Sequence, residues 1–270
     1  MKRLYIRFII LLSIVLAGTV STFAWFSGNS KVKTGSVNVT IGGQNIELLA
    51  GYDTEHMSAK EFEIRDTNIV EGFRLMPVST IDASSFVIAE NAGSVNIKFK
   101  EVTKDDKVFY YGSFYIMAKG DDNESINLYL DDSDGNFFTV ADSVKGKENE
   151  ILNAARFAIK IEDMLRIVEI SQDSNKSERI DNTYLNGSLI KNQQLQMDNG
   201  EIQTGEAEIY PVSESMITNN NYPDFFFTLK TNKIYKTEIY LWLEGTDSDC
   251  SSSIELETLE ININLLGVSG

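Results

Sequence analysis

Few residues in this chain have the chemistry of a catalytic site, because it contains a single histidine, His56, and a single cysteine, Cys250. A catalytic zinc usually takes three protein ligands rich in histidine, and an activated serine needs a histidine partner. Neither a His-Glu-x-x-His nor a Gly-x-Ser-x-Gly motif occurs. Carboxylates are plentiful, but a glycosidase is defined by the distance between two of them. The sequence therefore predicts no enzyme and no cofactor, and we interpret His56 as a loop residue.

The acidic segment Asp131–Asn136 is the part of the chain most similar to a calcium-binding loop. In the register that starts at Leu130, Ala141 stands where the bidentate glutamate of such a loop belongs. Similar acidic turns lie at Asp105-Asp106, Asp121-Asp122 and Asp247-Ser248-Asp249. We interpret all of them as solvated turns and predict no metal site, with weak calcium binding as the alternative.

Composition and charge exclude some classes of protein. The chain has 270 residues, of which 42% are hydrophobic, which is enough for one large core or two small ones. Its net charge is -16. Such a surface repels phosphate backbones, so nucleic-acid binding is not expected. Cations would screen its self-repulsion, so any self-association should depend on salt.

The N-terminal segment has the pattern of a signal peptide. Lys2, Arg3 and Arg7 precede an apolar run at Phe8–Val20, which is too short for a typical membrane span. Small residues follow, and we place the cleavage between Ala24 and Trp25, so residues 1–24 form the signal peptide. Its removal takes the net charge from -16 to -19. The prediction is a secreted protein that meets the membrane only before cleavage; an uncleaved N-terminal anchor is the alternative.

Period-two alternation of apolar residues recurs through the rest of the chain and predicts strands. The alternating segments are Val37–Ile41, Val95–Phe99, Ile126–Leu130, Phe157–Ile161, Ile239–Leu243 and Leu259–Leu265. In Val108–Met117 both faces are apolar or aromatic, which predicts a strand buried on both sides. Glycine- and aspartate-rich turn signals separate these segments.

The pattern predicts an all-β fold, an antiparallel jelly-roll-like β-sandwich with one short helix at Asn149–Arg156. Residues 42–270 should form a single domain. Within it, residues 171–221 are rich in Asn, Ser and Gln. They predict a polar surface excursion with short strands.

Two features near the C-terminus admit more than one interpretation. Tyr240 and Trp242 share the strand face opposite Ile239, Leu241 and Leu243. We expect both aromatics to pack, with a subunit contact or a sugar platform as the alternative. Cys250 makes no internal disulfide, and we expect a small buried residue; an intermolecular disulfide is the alternative.

Three segments carry a resemblance to a known family. The C-terminal one contains Trp242, Leu243, Glu244, Gly245, Asp247 and Cys250, in the pattern Trp-Leu-Glu-Gly-x-Asp-x-x-Cys. The other two are Ala24-Trp25-Phe26-Ser27 with Thr34–Val39, and Ala154–Ile159. These segments resemble the TasA/camelysin-like family of Gram-positive biofilm-matrix and surface proteins with SipW-type signal peptides.

The resemblance implies a jelly-roll fold, cleavage by a signal peptidase of the SipW type, and assembly with copies of itself or with related matrix subunits into extracellular fibres. The freed N-terminal segment, residues 25–41, would add a strand to the next subunit. Val37, Val39 and Ile41 would then fill its pockets, contributing about 5–8 kcal/mol before ordering costs. Alternatively, Val37–Ile41 pairs within its own sheet. The alternative function is a monomeric secreted adhesin or ligand-binding module.

Overall fold

The computed structural model describes residues 31–42, 46–58, 62–63, 75–80, 82–89, 99–122, 124–141, 148–170, 191–196, 202–206, 209–211, 215–219, 221–245, 250 and 258–269. The predicted signal peptide, its cleavage bond and the first six residues of the candidate donor segment lie outside this part of the chain. Much of the predicted polar excursion does so as well.

The described part of the chain contains eighteen strands, one short 3₁₀ helix (Lys104–Asp106) and one α-helix, α1 (Glu148–Ala154). In chain order the strands are β1 (Lys31–Gly42), β2 (Glu47–Gly51), β3 (Phe62–Glu63), β4 (Pro77–Thr80), β5 (Phe86–Ala89), β6 (Phe99–Val102), β7 (Tyr110–Lys119), β8 (Ser125–Asp131), β9 (Phe138–Ala141), β10 (Ala155–Ile161), β11 (Met164–Glu169), β12 (Lys191–Gln196), β13 (Ile202–Glu206), β14 (Ile209–Pro211), β15 (Met216–Ile217), β16 (Phe227–Lys230), β17 (Ile234–Glu244) and β18 (Thr258–Ser269).

Two large sheets pack against each other. The seven-stranded sheet has the order β15-β8-β18-β1-β3, with β16 beside β8 and β9 beside β18. The nine-stranded sheet has the order β14-β11-β10-β17-β4-β5-β6, and β7 joins β17 to β2. β12 and β13 form a separate hairpin. The predicted all-β sandwich is confirmed.

Alternation along each strand explains how the sheets pack. In β17, Ile239, Leu241 and Leu243 enter the main core between the sheets. Trp242 belongs to a second cluster on the other face of the nine-stranded sheet, against which Tyr240 packs. In β18, the buried residues are Leu259, Ile261, Ile263 and Leu265, as the period of two predicts.

The helix and one strand differ from the prediction in detail. α1 ends at Ala154, two residues early, because Ala155 and Arg156 pair with Leu243 and Trp242 of β17. β7 is buried on both faces only at its start; Ser113, Tyr115 and Met117 are partly exposed. The second cluster includes Phe109 and Tyr111 at the start of β7.

Strand pairing is mixed, which alternation alone does not reveal. Most pairs are antiparallel, but four described pairs are parallel: β1 with β18, β11 with β14, β15 with β8, and β17 with β4. In the predicted strand Val95–Phe99, residues 95–98 lie outside the described part of the chain, and Phe99 begins β6. Among the described residues, no helix is both long and apolar enough to span a membrane.

Candidate functional site

The candidate donor strand β1 lies along β18 in a parallel ladder. The register runs from Lys31 opposite Thr258 to Gly42 opposite Val268, with one irregularity between Thr34 and Val37. Val37 is fully buried and Val39 is 7% exposed. The backbone of Ile41 pairs with Gly267, while its side chain lies outside the described ones. Within one chain, therefore, this segment pairs in its own sheet, the alternative that the sequence left open.

The second side of β1 is far less covered. There it pairs antiparallel with β3 through only two residues, Ser36 with Glu63 and Val37 with Phe62. Within the described ranges, no other strand pairs with that side. β1 is therefore held along its length by one neighbour, β18, and lies next to the edge of its sheet.

The C-terminal motif is a buried corner of the sandwich rather than an exposed site. Trp242 is fully buried, and its indole Nε1–H donates to Oε2 of Glu244 at 3.2 Å. Leu243 and Glu244 pair with β4, and the Gly245 N–H donates to the Val78 carbonyl at 2.8 Å. Cys250 is 1% exposed within the main core, so its predicted burial is confirmed. Asp247 lies outside the described residues.

A buried arginine, which the sequence analysis did not single out, lies beside this corner. Arg156 pairs with Trp242 across β10 and β17 and is fully buried. Its Nη1 donates to the carbonyls of Asn153 at 2.6 Å and Ala155 at 3.1 Å, and its Nη2 lies 3.7 Å from Oε1 of buried Glu169. The only signal in the sequence is an arginine that directly precedes the alternating apolar residues Phe157, Ile159 and Ile161. This buried pair joins the end of α1 to β10 and β11.

The acidic loop uses its carboxylates to hold its own backbone. Oδ1 of Asp131 accepts from the Ser133 N–H, and Oδ1 of Asp132 accepts from the Phe137 N–H, both at 2.9 Å. Gly135 has a φ of 65°, which glycine adopts without strain. Within the part of the chain that the structure describes, no three His, Cys, Asp or Glu side chains cluster as metal ligands. This geometry is that of a hydrogen-bonded turn.

Replacing Asp132 by asparagine is expected to stabilise the protein at neutral pH but not in acid. Burial, together with the charges of Asp131 and Asp134, raises the pKa of Asp132 above its ordinary value, despite the hydrogen bond from Phe137. Because the pKa of Asp132 is higher in the folded state than in the unfolded state, the protonated carboxyl favours folding. This contribution to stability is fully present below the unfolded-state pKa and is lost as the pH rises through the folded-state pKa. Asparagine keeps the acceptor oxygen and avoids that loss; the gain should be below about 1 kcal/mol because the carboxyl is partly exposed.

Urea unfolding at neutral pH and at a pH below the ordinary carboxyl range would measure this difference. Asp163→Asn is the matched control, because Asp163 is an exposed carboxylate in another turn and is not among the charges that raise the pKa of Asp132. An Asp132→Asn gain of the same size at both pH values would contradict the prediction.

The single histidine lies in a surface loop. His56 is exposed, its Nδ1 lies 2.9 Å from both carboxylate oxygens of Asp53, and its ring stacks on Tyr52 with centroids 5.2 Å apart. A carboxylate and an aromatic ring thus hold the imidazole in place. Within the described loop, the side chain bonded to it is that of Asp53, and no serine or cysteine is.

A small pocket opens on the outer face of the nine-stranded sheet. We call it the outer pocket; it has a volume of about 230 Å³, and its lining includes Phe86, Glu101, Lys104, Tyr111, Glu238 and Tyr240. Trp242 packs edge-on against Phe86 with ring centroids 5.4 Å apart and is closed to solvent, as the packing interpretation predicted. Tyr240 is only partly buried and helps to form the pocket wall.

Comparisons with protein-family models, with curated proteins and with solved structures find no match to this chain. The resemblance to the TasA/camelysin-like family therefore stays a prediction that rests on the quoted motif residues. What the protein does has to follow from its own residues, pocket and strand pairings.

Proposed function

We propose that this protein is an exported structural subunit of an extracellular surface or biofilm-matrix fibre. In this fibre, β1 of one copy completes the seven-stranded sheet of the next copy. The observation that carries the proposal is the parallel pairing of β1 with β18, two strands from opposite ends of the chain.

A parallel pair needs a crossover and cannot be closed by a tight hairpin, so no short turn ties β1 to its partner. The chain instead leaves β1 at Gly42 and enters β2, in the other sheet, at Glu47. The short connection begins with Gly42-Gly43, two residues with wide backbone freedom. Such a segment suits the hinge of a strand exchange.

Exchange of β1 between copies would preserve the contacts seen within one chain. The ladder with β18 and the burial of Val37 and Val39 would be the same, but between two molecules. Swapping of identical elements costs little for this reason, and a head-to-tail exchange that does not close into a ring produces a filament. Backbone hydrogen bonds supply affinity, and the buried valines set the register.

The N-terminal sequence supports an exported subunit whose assembly follows processing. A strand still joined to a membrane-inserted signal segment cannot thread freely into another molecule, so cleavage after Ala24 would start assembly. The resemblance to exported matrix proteins with SipW-type signal peptides points the same way. In this view the partners are copies of the chain or related matrix subunits, and the location is the cell surface or the biofilm matrix.

Purified residues 25–270 are expected to form long filaments in a concentration-dependent manner. The net charge of -19 after cleavage opposes association, so raising the salt concentration should promote it. Sedimentation velocity and negative-stain electron microscopy would measure both effects. A folded monomer that persists at every protein and salt concentration would contradict the proposal and favour a monomeric adhesin or ligand-binding module.

A further inference from the structure

We propose that the outer pocket binds one neutral sugar ring of a glycan. Its lining combines rigid aromatic surface with two carboxylates and an ammonium group, on a sheet face that the strand exchange does not use. The inference goes beyond the proposed fibre and stands independently of it.

The aromatic wall of the outer pocket is fixed by packing. Tyr240 lies with its ring centroid 5.8 Å from that of Phe86 and 5.3 Å from that of Tyr111. Phe86 in turn stacks on Phe109 with a centroid distance of 4.0 Å. A partly exposed tyrosine held in this way offers a flat apolar surface at little entropic cost, which suits the C–H face of a sugar ring.

The polar groups of the outer pocket are also fixed. Oε1 of Glu238 accepts hydrogen bonds from the Tyr111 hydroxyl and from Nζ of Lys236, both at 2.7 Å. Both bonds fall on the same oxygen, which leaves Oε2 as an acceptor for a ligand hydroxyl. Lys104 also lines the pocket, with Nζ 4.9 Å from the Tyr111 ring centroid, and can donate to a second hydroxyl.

Glu238 is positioned to bind as an anion. Partial burial opposes its charge, but the hydrogen bonds from Lys236 and Tyr111 and the charges of Lys236 and Lys160 outweigh that effect and hold the pKa of Glu238 below its ordinary value. At neutral pH it is therefore ionised. A hydroxyl that donates to it makes a charge-assisted bond, roughly twice as strong as a neutral one.

The charges in the outer pocket favour a neutral ligand over an ionic one. An organic cation would meet the ammonium of Lys104, which already lies over Tyr111. An anion would meet Glu101 and Glu238 on a chain of net charge -16. A sugar hydroxyl both donates and accepts, so it suits a site with a carboxylate and an ammonium.

The size of the outer pocket limits the ligand to one ring. Its volume of about 230 Å³ is below the roughly 300–1,000 Å³ typical of pockets for drug-sized ligands. A terminal or branching sugar fits this space, with the remainder of the glycan in solvent.

Saturation-transfer difference NMR with the methyl glycosides of glucose, galactose, mannose and N-acetylglucosamine would test the proposal. At millimolar concentrations, at least one of these probes is expected to receive saturation from the folded mature protein. Glu238→Gln keeps the side-chain shape but removes the charge, and it should weaken the binding of that probe about tenfold. Tyr240→Leu should abolish it.

Tyr222→Leu is the matched control, because Tyr222 is 78% exposed and does not line the outer pocket. This variant should bind the probe as tightly as the unsubstituted protein does. Circular dichroism would verify the fold of each variant. If Tyr240→Leu does not fold, the binding measured for Glu238→Gln alone tests whether the outer pocket binds the sugar. Absence of saturation transfer to all four probes, or equal binding by Glu238→Gln and the parent, would overturn the proposal. Filament formation is scored separately, so a failure of strand exchange leaves this result interpretable.

Discussion

A disulfide between positions 38 and 264 is expected to hold the protein as a monomer until the bond is reduced. Asn38 of β1 and Asn264 of β18 are register partners in the parallel ladder. Neighbouring strands lie about 4.8 Å apart, which is within the Cα separation that a disulfide spans. Because directly paired residues of a parallel ladder project to the same face of the sheet, Asn38→Cys and Asn264→Cys should bond without moving either strand.

The disulfide should prevent filament assembly because strand donation requires β1 to leave its own sheet. Leaving exposes Val37 and Val39, at a cost of about 1.5–3 kcal/mol each before the next copy restores the burial. A covalent bond to β18 removes the open state from which exchange starts. The fold itself is unchanged, so the locked protein should be a stable, well-dispersed monomer.

The experiment is reversible within one sample. Both substitutions are made with Cys250→Ala, so that the native thiol cannot pair with either new one. Oxidised protein should sediment as a monomer, and addition of reductant should produce filaments under the electron microscope. Asn38→Cys alone in the same background is the control and should polymerise after capping of its thiol, whatever the redox state. Filaments from protein whose intrachain disulfide is verified by mass spectrometry would refute strand donation by β1.

The strands were predictable because alternation is a local property. Ile239, Leu241 and Leu243 mark the inner face of β17 by their spacing alone, and the same holds for Val37 and Val39 in β1. The partner of β1 was not predictable, because alternation shows which face is buried and not which strand lies alongside. Pairing of β1 with β18 depends on where the whole chain brings its two ends.

The outer pocket and the buried Arg156–Glu169 pair were even less predictable from the sequence than the strand pairing. The outer pocket joins Phe86 of β5, Tyr111 of β7 and Tyr240 of β17, and of these only Tyr240 is a candidate surface aromatic from the strand pattern. Its position beside Trp242 was visible in the sequence, but its neighbours come from segments far apart in the chain. Likewise, Arg156 reaches Glu169 because the β10–β11 hairpin places them opposite each other.

Arg156→Met is expected to lower the free energy of unfolding by about 3–5 kcal/mol, the usual cost of leaving one member of a buried ion pair without its partner. Arg156 is fully buried and Glu169 is 4% exposed, so water cannot replace the lost charge. The change also leaves the carbonyls of Asn153 and Ala155 without the guanidinium that they bind. Urea unfolding followed by tryptophan fluorescence would measure the loss.

Lys233→Met is the matched control, because Lys233 forms an ion pair with Glu162 in which both side chains are 49% exposed. Its removal should cost less than about 1 kcal/mol. If Arg156→Met costs no more than this control, the buried pair does not stabilise the corner as its geometry indicates.

The double variant Arg156→Met, Glu169→Leu separates the two sources of the cost. If the loss in Arg156→Met comes from a stranded carboxylate, replacing that carboxylate by an apolar side chain should recover much of it, since an apolar pair can substitute for a buried ion pair. If the loss comes instead from the bonds to the end of α1, the double variant should stay as unstable as the single one. Recovery of stability in the double variant would therefore assign the cost to the carboxylate of Glu169, whereas an unchanged loss would assign it to the missing hydrogen bonds at the carbonyls of Asn153 and Ala155.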